Sequence, residues 1–247
     1  MNDFNERLAA GAHELGLSLD RDQIRDFVAF KDILTEWNEK MNLTAVTDDA
    51  GFLVKHFLDS LSVAAYVPDQ ARLIDVGTGA GFPGVPLMLA GKCIDVTLLD
   101  SLKKRLTFLS DAMERMGKSA RLVHARAEDA ARLDEHRGRY DAAVSRAVAG
   151  LALLAEYCLP MLAPGGVFIA MKGPKAKQEL PDALDIINKL GGEVQFVNSI
   201  TLPFSELTGE EIGRTIVVVK KIRQTPPKYP RKSAELAKMY KPCRKTD

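Results

Sequence analysis

The sequence predicts an α/β fold, a mostly parallel seven-stranded sheet with helices on both faces and an antiparallel last strand. Three observations predict it. From residue 71 onward, short apolar and β-branched runs alternate with helical patterns, and alternation of that kind builds a parallel sheet because each crossover helix covers the strands it joins. One such run, at 73–76, passes directly into Gly77-Thr-Gly-Ala-Gly81 and then Phe82-Pro-Gly84, after which apolar helical spacing resumes at Val85. Before residue 66 only helical spacing is found.

The organisation that follows is a helical cap at 1–66, a main domain at 67–223 and a basic extended tail at 224–247. In the cap, 5–15 carries a weak amphipathic pattern. Asp20 or Asp22 caps a longer helix whose Ile24, Phe27, Val28, Ile33, Leu34 and Trp37 recur at helical spacing. A third helix, 48–61, puts Phe52, Leu53, Phe57, Leu58 and Leu61 on one side. His56 and Asp59 share a face of it, and a hydrogen-bonding pair there outweighs a catalytic one.

In the main domain the strands are 73–76, 94–99, 120–124, 142–144 and 167–171. Helices open after Gly84 and Ser101, a third follows the fourth strand and ends at Gly165-Gly166, and a fourth spans 178–190 and closes at Gly191-Gly192. Two last strands, near 194–202 and 215–219, have no helical pattern between them and pair antiparallel. Beyond Arg223, four prolines at 226, 227, 230 and 242 make an extended tail.

Composition bounds the class. At 46% hydrophobic and 27% charged over 247 residues, the chain has an ordinary globular make-up. No apolar run reaches the ~18 residues of a membrane span, and the first residues lack the basic start of a signal peptide. Cys93, Cys158 and Cys243 are odd in number and widely spaced, which argues for a reducing, cytoplasmic setting and against a disulfide framework or a metal site. The overall charge is +1, yet residues 220–247 hold ten Lys and Arg against Glu235 and Asp247, +8, leaving −7 on residues 1–219. A basic tail on a mildly acidic body points to a polyanion partner, with a solvated tail as the plainer alternative.

The glycine loop is a nucleotide-type site, with close backbone approach and a helix mouth beside it. Gly79, Gly81 and Gly84 fit the dinucleotide spacing, which brings a nicotinamide oxidoreductase into consideration. Against it stand Phe82 where the third glycine belongs when counted from Gly77, Pro83 inside the turn, and the Asp75 carboxylate beside the loop. A phosphate-free cationic donor, S-adenosyl-L-methionine, suits an acid-lined loop better. Asp100, 23 positions beyond Gly77, is placed to take ribose hydroxyls of either nucleotide. Ala125-Arg-Ala-Glu128 offers a backbone N–H and an acceptor to an adenine edge, with helix N-terminal charge an equal reading of Glu128.

The fourth strand ends Val144-Ser-Arg-Ala147. It has neither the Asn/Asp-Pro-Pro-aromatic motif of adenine-amine methylation nor a cysteine nucleophile for cytosine C5. An acceptor that is already nucleophilic, such as guanine N7, needs neither device, only alignment and electrostatics. Arg146 suits guanine, whose O6 and N7 accept a fork; a structural pair with Asp75 or Glu128 is comparably favoured.

Together these residues resemble the bacterial small-subunit rRNA guanine-N7 methyltransferase G family, also called glucose-inhibited division protein B. The resemblance runs from about residue 30 to 232. It is carried by Trp37-Asn38, Asn42-Leu-Thr44, His56, Asp59-Ser-Leu61, the 73–86 loop, Ala127-Glu128, Ser145-Arg-Ala147, Lys172-Gly173 and Lys228-Tyr-Pro-Arg-Lys232. It implies a class I (Rossmann-like) methyltransferase fold, S-adenosyl-L-methionine as donor with S-adenosyl-L-homocysteine as product, and methylation of one guanine (527 in conventional rRNA numbering) in 16S rRNA. It puts donor contacts on Gly77, Phe82, Ala127, Glu128 and Arg146. The residues themselves add Asp75, Gly79, Gly81 and Asp100, with Arg146 at the donor–guanine junction. Lys172, Lys175, Arg214, Lys228, Arg231 and Lys232 are the candidate phosphate contacts, on charge and position. The partner is then 16S rRNA, the 30S subunit or its precursor, met by a monomer with no membrane contact. The tail departs from the family where Ser233-Ala-Glu-Leu-Ala237 replaces a Gly-Thr-Pro segment, and Ala80 stands where some members have Pro. A noncatalytic RNA-binding assembly factor and a small-molecule methyltransferase are the competing classes.

Overall fold

A computed structural model describes residues 3–174 and 176–240. The chain opens with α1 (Asp3–Glu14) and α2 (Arg21–Met41). Of the two acids at the start of α2, Asp20 is the cap: its carboxylate accepts from Gln23 N at 2.8 Å while the Gln23 side chain accepts from Asp20 N at 2.9 Å. This reciprocal box satisfies two donors that the helix cannot pair internally. A continuous helix over 49–61 follows, made of α3 (Asp49–Gly51), a π-helical segment Phe52–Leu58 and α4 (Asp59–Leu61). Asp48 caps it through Gly51 N at 2.8 Å.

The sheet comprises β1 (Ala71–Val76), β2 (Cys93–Asp100), β3 (Arg121–His124), β4 (Tyr140–Arg146), β5 (Leu162–Lys172), β6 (Gly192–Thr201) and β7 (Gly213–Lys221). Its order is β3-β2-β1-β4-β5-β7-β6. Pairs among β1 to β5 are parallel, and β7 runs antiparallel to both β5 and β6. Between the strands lie α5 (Gly84–Leu89), α6 (Lys103–Arg115), the single turn α7 (Ala127–Ala130), α8 (Leu151–Cys158) and α9 (Ala176–Lys189). The order reverses between β1 and β4, so the crevice for a ligand lies at their carboxyl ends.

Alternation along the strands feeds two cores. Leu73, Leu98, Val144 and Ile169 face one side, Ile74, Val76, Leu99 and Phe168 the other. The first core also contains Phe27, Phe30, Phe52 and Phe57 from the N-terminal helices, together with Phe82 of the glycine loop and Phe108 of α6. Phe30 lies 5.8 Å from Phe82 and 6.0 Å from Phe108, ring to ring. The N-terminal helices therefore share a core with the loop rather than resting on it as a detachable cap.

Two local expectations change. Gly165-Gly166 do not end a helix; α8 stops at Cys158, a 3-10 turn holds Leu159–Met161, and both glycines fall inside β5. Pro160 lacks the N–H that a continuing helix needs, and a Cβ on Gly166 would sit 3.0 Å from Asp141 O of the paired strand. The segment after Arg223, expected as an extended tail, is docked and ends in a helix: α10 spans Ser233–Met239, and Tyr229 and Leu236 are buried. Lys175 and residues 241–247, with the tail cations Lys241, Arg244 and Lys245, lie outside the described residues. Among the described residues no helix is long and apolar enough to cross a membrane.

Candidate functional site

The loop after β1 is built by conformation and by one sealed carboxylate. Gly77, Gly79 and Gly81 take φ of 76°, 61° and 93°, a region that costs glycine nothing. Asp75, fully buried, accepts from Thr78 Oγ1 at 2.7 Å and from Gly84 N at 2.8 Å. It thus ties the two ends of the loop together. Desolvation pushes its carboxyl up to about 6, against the pull of the Thr78 and Gly84 hydrogen bonds and of Arg146. Asp75 and Gly81 were expected to hold the donor, yet neither lines the cavity beside the loop. The carboxylate turns inward to satisfy the loop, and Gly81 packs under it toward Val85, Leu109 and Phe30.

The loop also spends its own donors. Gly77 N and Thr78 N donate to Leu99 O, Gly79 N to Asp100, Gly81 N and Phe82 N to Thr78 O, and Gly84 N to Asp75. Of the N–H groups from Gly77 to Phe82, only that of Ala80 is outside this set. A phosphate cradle needs several free N–H groups converging on one anion, so the loop fits a nucleoside without pyrophosphate.

A cavity of about 490 Å³ opens over the carboxyl ends of β1 to β4, within the usual range for a small-molecule site. Gly77, Gly79, Asp100, Ala127 and Glu128 line one side. Asp100 is buried, with Oδ2 accepting from Gly79 N at 2.9 Å and from Arg105 at 3.1 Å, and Oδ1 from Leu102 N at 2.8 Å. Glu128, also buried, accepts from Ser233 Oγ at 2.6 Å through Oε1. Tyr157 completes that wall, its hydroxyl pushed up to about 12 by burial and by the Glu128 charge. Two carboxylates on adjacent strand ends repel phosphate and suit a cationic, hydroxyl-bearing nucleoside. These residues fit S-adenosyl-L-methionine.

The opposite wall comes from the 49–61 helix and β4. The His56 ring stacks on Phe82 at 4.2 Å and 11°, and its Nε2 lies 2.8 Å from Thr44 Oγ1. Desolvation, then the nearby Arg146 charge, lowers His56 to about 3, so it is neutral near pH 7. Arg146 donates to Asp59 at 2.8 Å and to Lys55 O at 3.0 Å, with its guanidinium 5.2 Å from the Phe82 ring centre. Arg214 grips both oxygens of the same carboxylate, at 2.8 and 3.2 Å. His56 and Asp59 are therefore not partners, and Arg146 pairs with neither Asp75 nor Glu128. Asp59, 1% exposed, balances two guanidiniums and leaves one positive charge at the cavity edge.

The candidate phosphate contacts separate. Lys172 is turned inward to Ala149 O at 2.7 Å and Glu179 at 2.9 Å. Arg214 is held by Asp59, and Arg231 by the fully buried Glu156. Lys228 and Lys232 are exposed, and Lys175 falls outside the described residues. The structure adds cavity residues that the sequence did not single out: Arg126, Arg105, Tyr157 and Val148. Arg126 lies within the Ala125-Arg-Ala-Glu128 run, where only the backbone N–H and the Glu128 acceptor carried an expectation. Among the described residues no cluster of His, Cys, Asp or Glu forms a metal site.

The topology, one antiparallel strand at position six of a parallel sheet, is that of the class I methyltransferases. The model of the family described as rRNA small subunit methyltransferase G matches residues 23–208. Ribosomal RNA small subunit methyltransferase G of Alkaliphilus metalliredigens is 48% identical over 228 residues, 91% of this chain and 93% of that protein. The protein of the same name from Alkaliphilus oremlandii is 49% identical over 240 residues, 96% of this chain and 98% of its own length. A solved structure of an NADB-Rossmann superfamily protein from Streptococcus agalactiae shares the fold, with a TM-score of 0.50 at 18% identity over 69% of this chain and 71% of that one. With three quarters of its length inside the family model and near-complete relatives at almost half identity, the chain belongs to the rRNA small subunit methyltransferase G family.

Proposed function

We propose that the protein transfers a methyl group from S-adenosyl-L-methionine to N7 of one guanine of 16S rRNA, the position being the one its family resemblance implies. The observation that carries this reading is the cavity itself, with Asp100 and Glu128 on one wall, the Phe82–His56 stack and Arg146 on the other, and a loop whose N–H groups are already used. When bound, the donor supplies a methyl group on a positively charged sulfur. Gly77, Gly79, Asp100 and Glu128 would hold that donor, and it would leave as neutral S-adenosyl-L-homocysteine once its methyl group was on N7. N7 carries a lone pair and no proton, so the residues present have to align rather than deprotonate.

Gly77 and Gly79 admit the donor against the backbone, while Asp100 and Glu128 accept from its hydroxyl and amine groups. Arg146 is oriented by Asp59 and Lys55 O through one terminal nitrogen, which leaves its other N–H groups for guanine. A donor on N7 would occupy the attacking lone pair, so O6 is the oxygen Arg146 takes. Exposed Arg126, Lys228 and Lys232 contact phosphates. The enzyme works as a cytoplasmic monomer on the RNA, the 30S subunit or its precursor. Tritiated methyl incorporation into protein-free 16S rRNA, 30S particles and small acceptors, followed by mapping of the modified base, tests the reading. Label at guanine N7 of 16S rRNA is the expected result; label confined to small acceptors overturns it.

A further inference from the structure

We propose that Ser233 is a positioning residue for the methyl-donor site, and that the docked segment 224–240 is the strap that delivers it. The proposal rests on the donor assignment above and deepens it. The strap is fastened by polar contacts along its length, buried at Thr225 and half-buried beyond it. Lys221, 1% exposed, donates to Leu159 O at 2.7 Å, to Leu190 O at 2.8 Å and to Thr225 Oγ1. Arg137 donates to Thr225 O at 2.9 Å, Pro226 O at 3.2 Å and Tyr229 O at 2.8 Å, and Arg132 donates to Pro230 O. Arg231 then enters between the rings of Tyr229 and Tyr240, 5.7 and 5.6 Å from their centres, and pairs with Glu156 of α8. Tyr240 donates to the same carboxylate at 2.9 Å. Guanidinium and phenol, both half-buried, close over the buried Glu156 carboxylate, and the network holds because its members satisfy one another.

Two residues beyond that anchor, Ser233 Oγ reaches Glu128 Oε1 at 2.6 Å. Glu128 sits on α7, a single helical turn of four residues, and is 4% exposed with its side chain on the cavity. So short a turn gives a carboxylate little support of its own. A hydroxyl donating to one oxygen fixes the carboxylate plane and leaves the other oxygen to accept from the bound nucleoside. Glu156 and Tyr157 are successive residues of α8; the first holds the strap, the second lines the cavity. Strap and donor site are thus joined at two places, α7 and α8. The segment read from its charge as an RNA arm places its arginine inside the protein and its serine on a donor-site carboxylate.

The test is isothermal titration of S-adenosyl-L-methionine into the full-length protein and its variants, with KM for donor and for 16S rRNA and thermal unfolding measured alongside. Ser233→Ala should weaken donor binding about tenfold, the low end of what one hydrogen bond to a charged group contributes. It should raise KM for the donor by the same factor and leave KM for rRNA and the unfolding midpoint unchanged. Ser233→Thr should restore binding, and in a Glu128→Ala background Ser233→Ala should have no further effect. Unchanged donor affinity in Ser233→Ala overturns the proposal, as does a loss that Ser233→Thr does not rescue or that tracks a lowered midpoint. Failure of the wild-type protein to bind S-adenosyl-L-methionine overturns the donor assignment itself, a separate result.

Discussion

Two clusters bury a carboxylate under arginine, and they differ in what the arginine does next. At the cavity, Asp59 holds Arg146 and Arg214, and Arg146 still faces the open space over Phe82. At the strap, Glu156 holds Arg231, and two tyrosine rings close over the guanidinium. Two cations on one acid leave a net positive charge beside the cavity; one cation on one acid leaves none. The first cluster keeps a guanidinium on the cavity and the second fastens the chain, although charge and position made Arg214 and Arg231 look alike.

The largest expected effect breaks the second cluster. Arg231→Ala removes the charged partner of the buried Glu156 carboxylate and leaves it only the Tyr240 hydroxyl and the backbone N–H of residue 231, so equilibrium urea unfolding should show a loss of about 3 kcal/mol. The salt dependence of RNA binding by the folded fraction should not change. A stable Arg231→Ala protein with a shallower salt slope would put Arg231 on the RNA instead.

Arg146→Ala sharpens the first cluster. Methyl transfer should fall about a hundredfold, as for a lost preorganised donor. Stability should fall far less than in Arg231→Ala, because Arg214 continues to neutralise Asp59. Turnover near wild type would reduce Arg146 to an ion pair.

Titration probes two buried groups near the first cluster, both under the Arg146 charge. Burial raises Asp75 from 3.8 to about 6, so the folded state binds more protons than the unfolded state in that window. The ionised carboxylate therefore costs stability, in full above pH 6 and not at all below about 3.8. Asp75→Asn should gain on the wild type as pH rises from 4 to 6 in unfolding measurements. His56 has the opposite sign: lowered from 6.5 to about 3, it makes the wild type lose stability as pH falls through that range. His56→Gln should lack this loss, and no His56 step should enter the pH–rate profile near 6.5.

The smallest effect is at the surface. Lys228 is exposed, with no ion pair among the described residues. Lys228→Ala should lower the slope of log affinity against log salt by less than about one unit, and donor affinity should not move. A larger change would make the strap a principal RNA contact after all.

The fold was legible because it rests on periodicity. Alternating apolar runs, the 77–84 turn and the lack of a helical pattern between the last two strands predicted seven strands and the antiparallel one; only a 3-10 turn at Ser205–Thr208 joins those two. A cap at Asp20 or Asp22 was legible because capping is local, and the Gln23 hydrogen bonds chose Asp20. Gly165-Gly166 were misread because a glycine pair ends a helix as readily as it eases close strand pairing. Asp75 was misread for a related reason. A carboxylate beside a glycine loop faces either the ligand or the loop, and only the Thr78 and Gly84 distances choose the loop.

By itself the sequence determined the glycine loop, the strand ends that carry Asp100, Glu128 and Arg146, and the family to which these belong, because each is a pattern within a few neighbouring residues. Tertiary structure alone decided which charges are left over. Asp59 meets Arg146 and Arg214 across 87 and 155 positions, and Ser233 meets Glu128 across 105. No local rule links residues so far apart. Burial makes those encounters decisive, since a charge removed from water must find its partner inside the fold, and the partner it finds decides whether it binds a substrate or holds the chain.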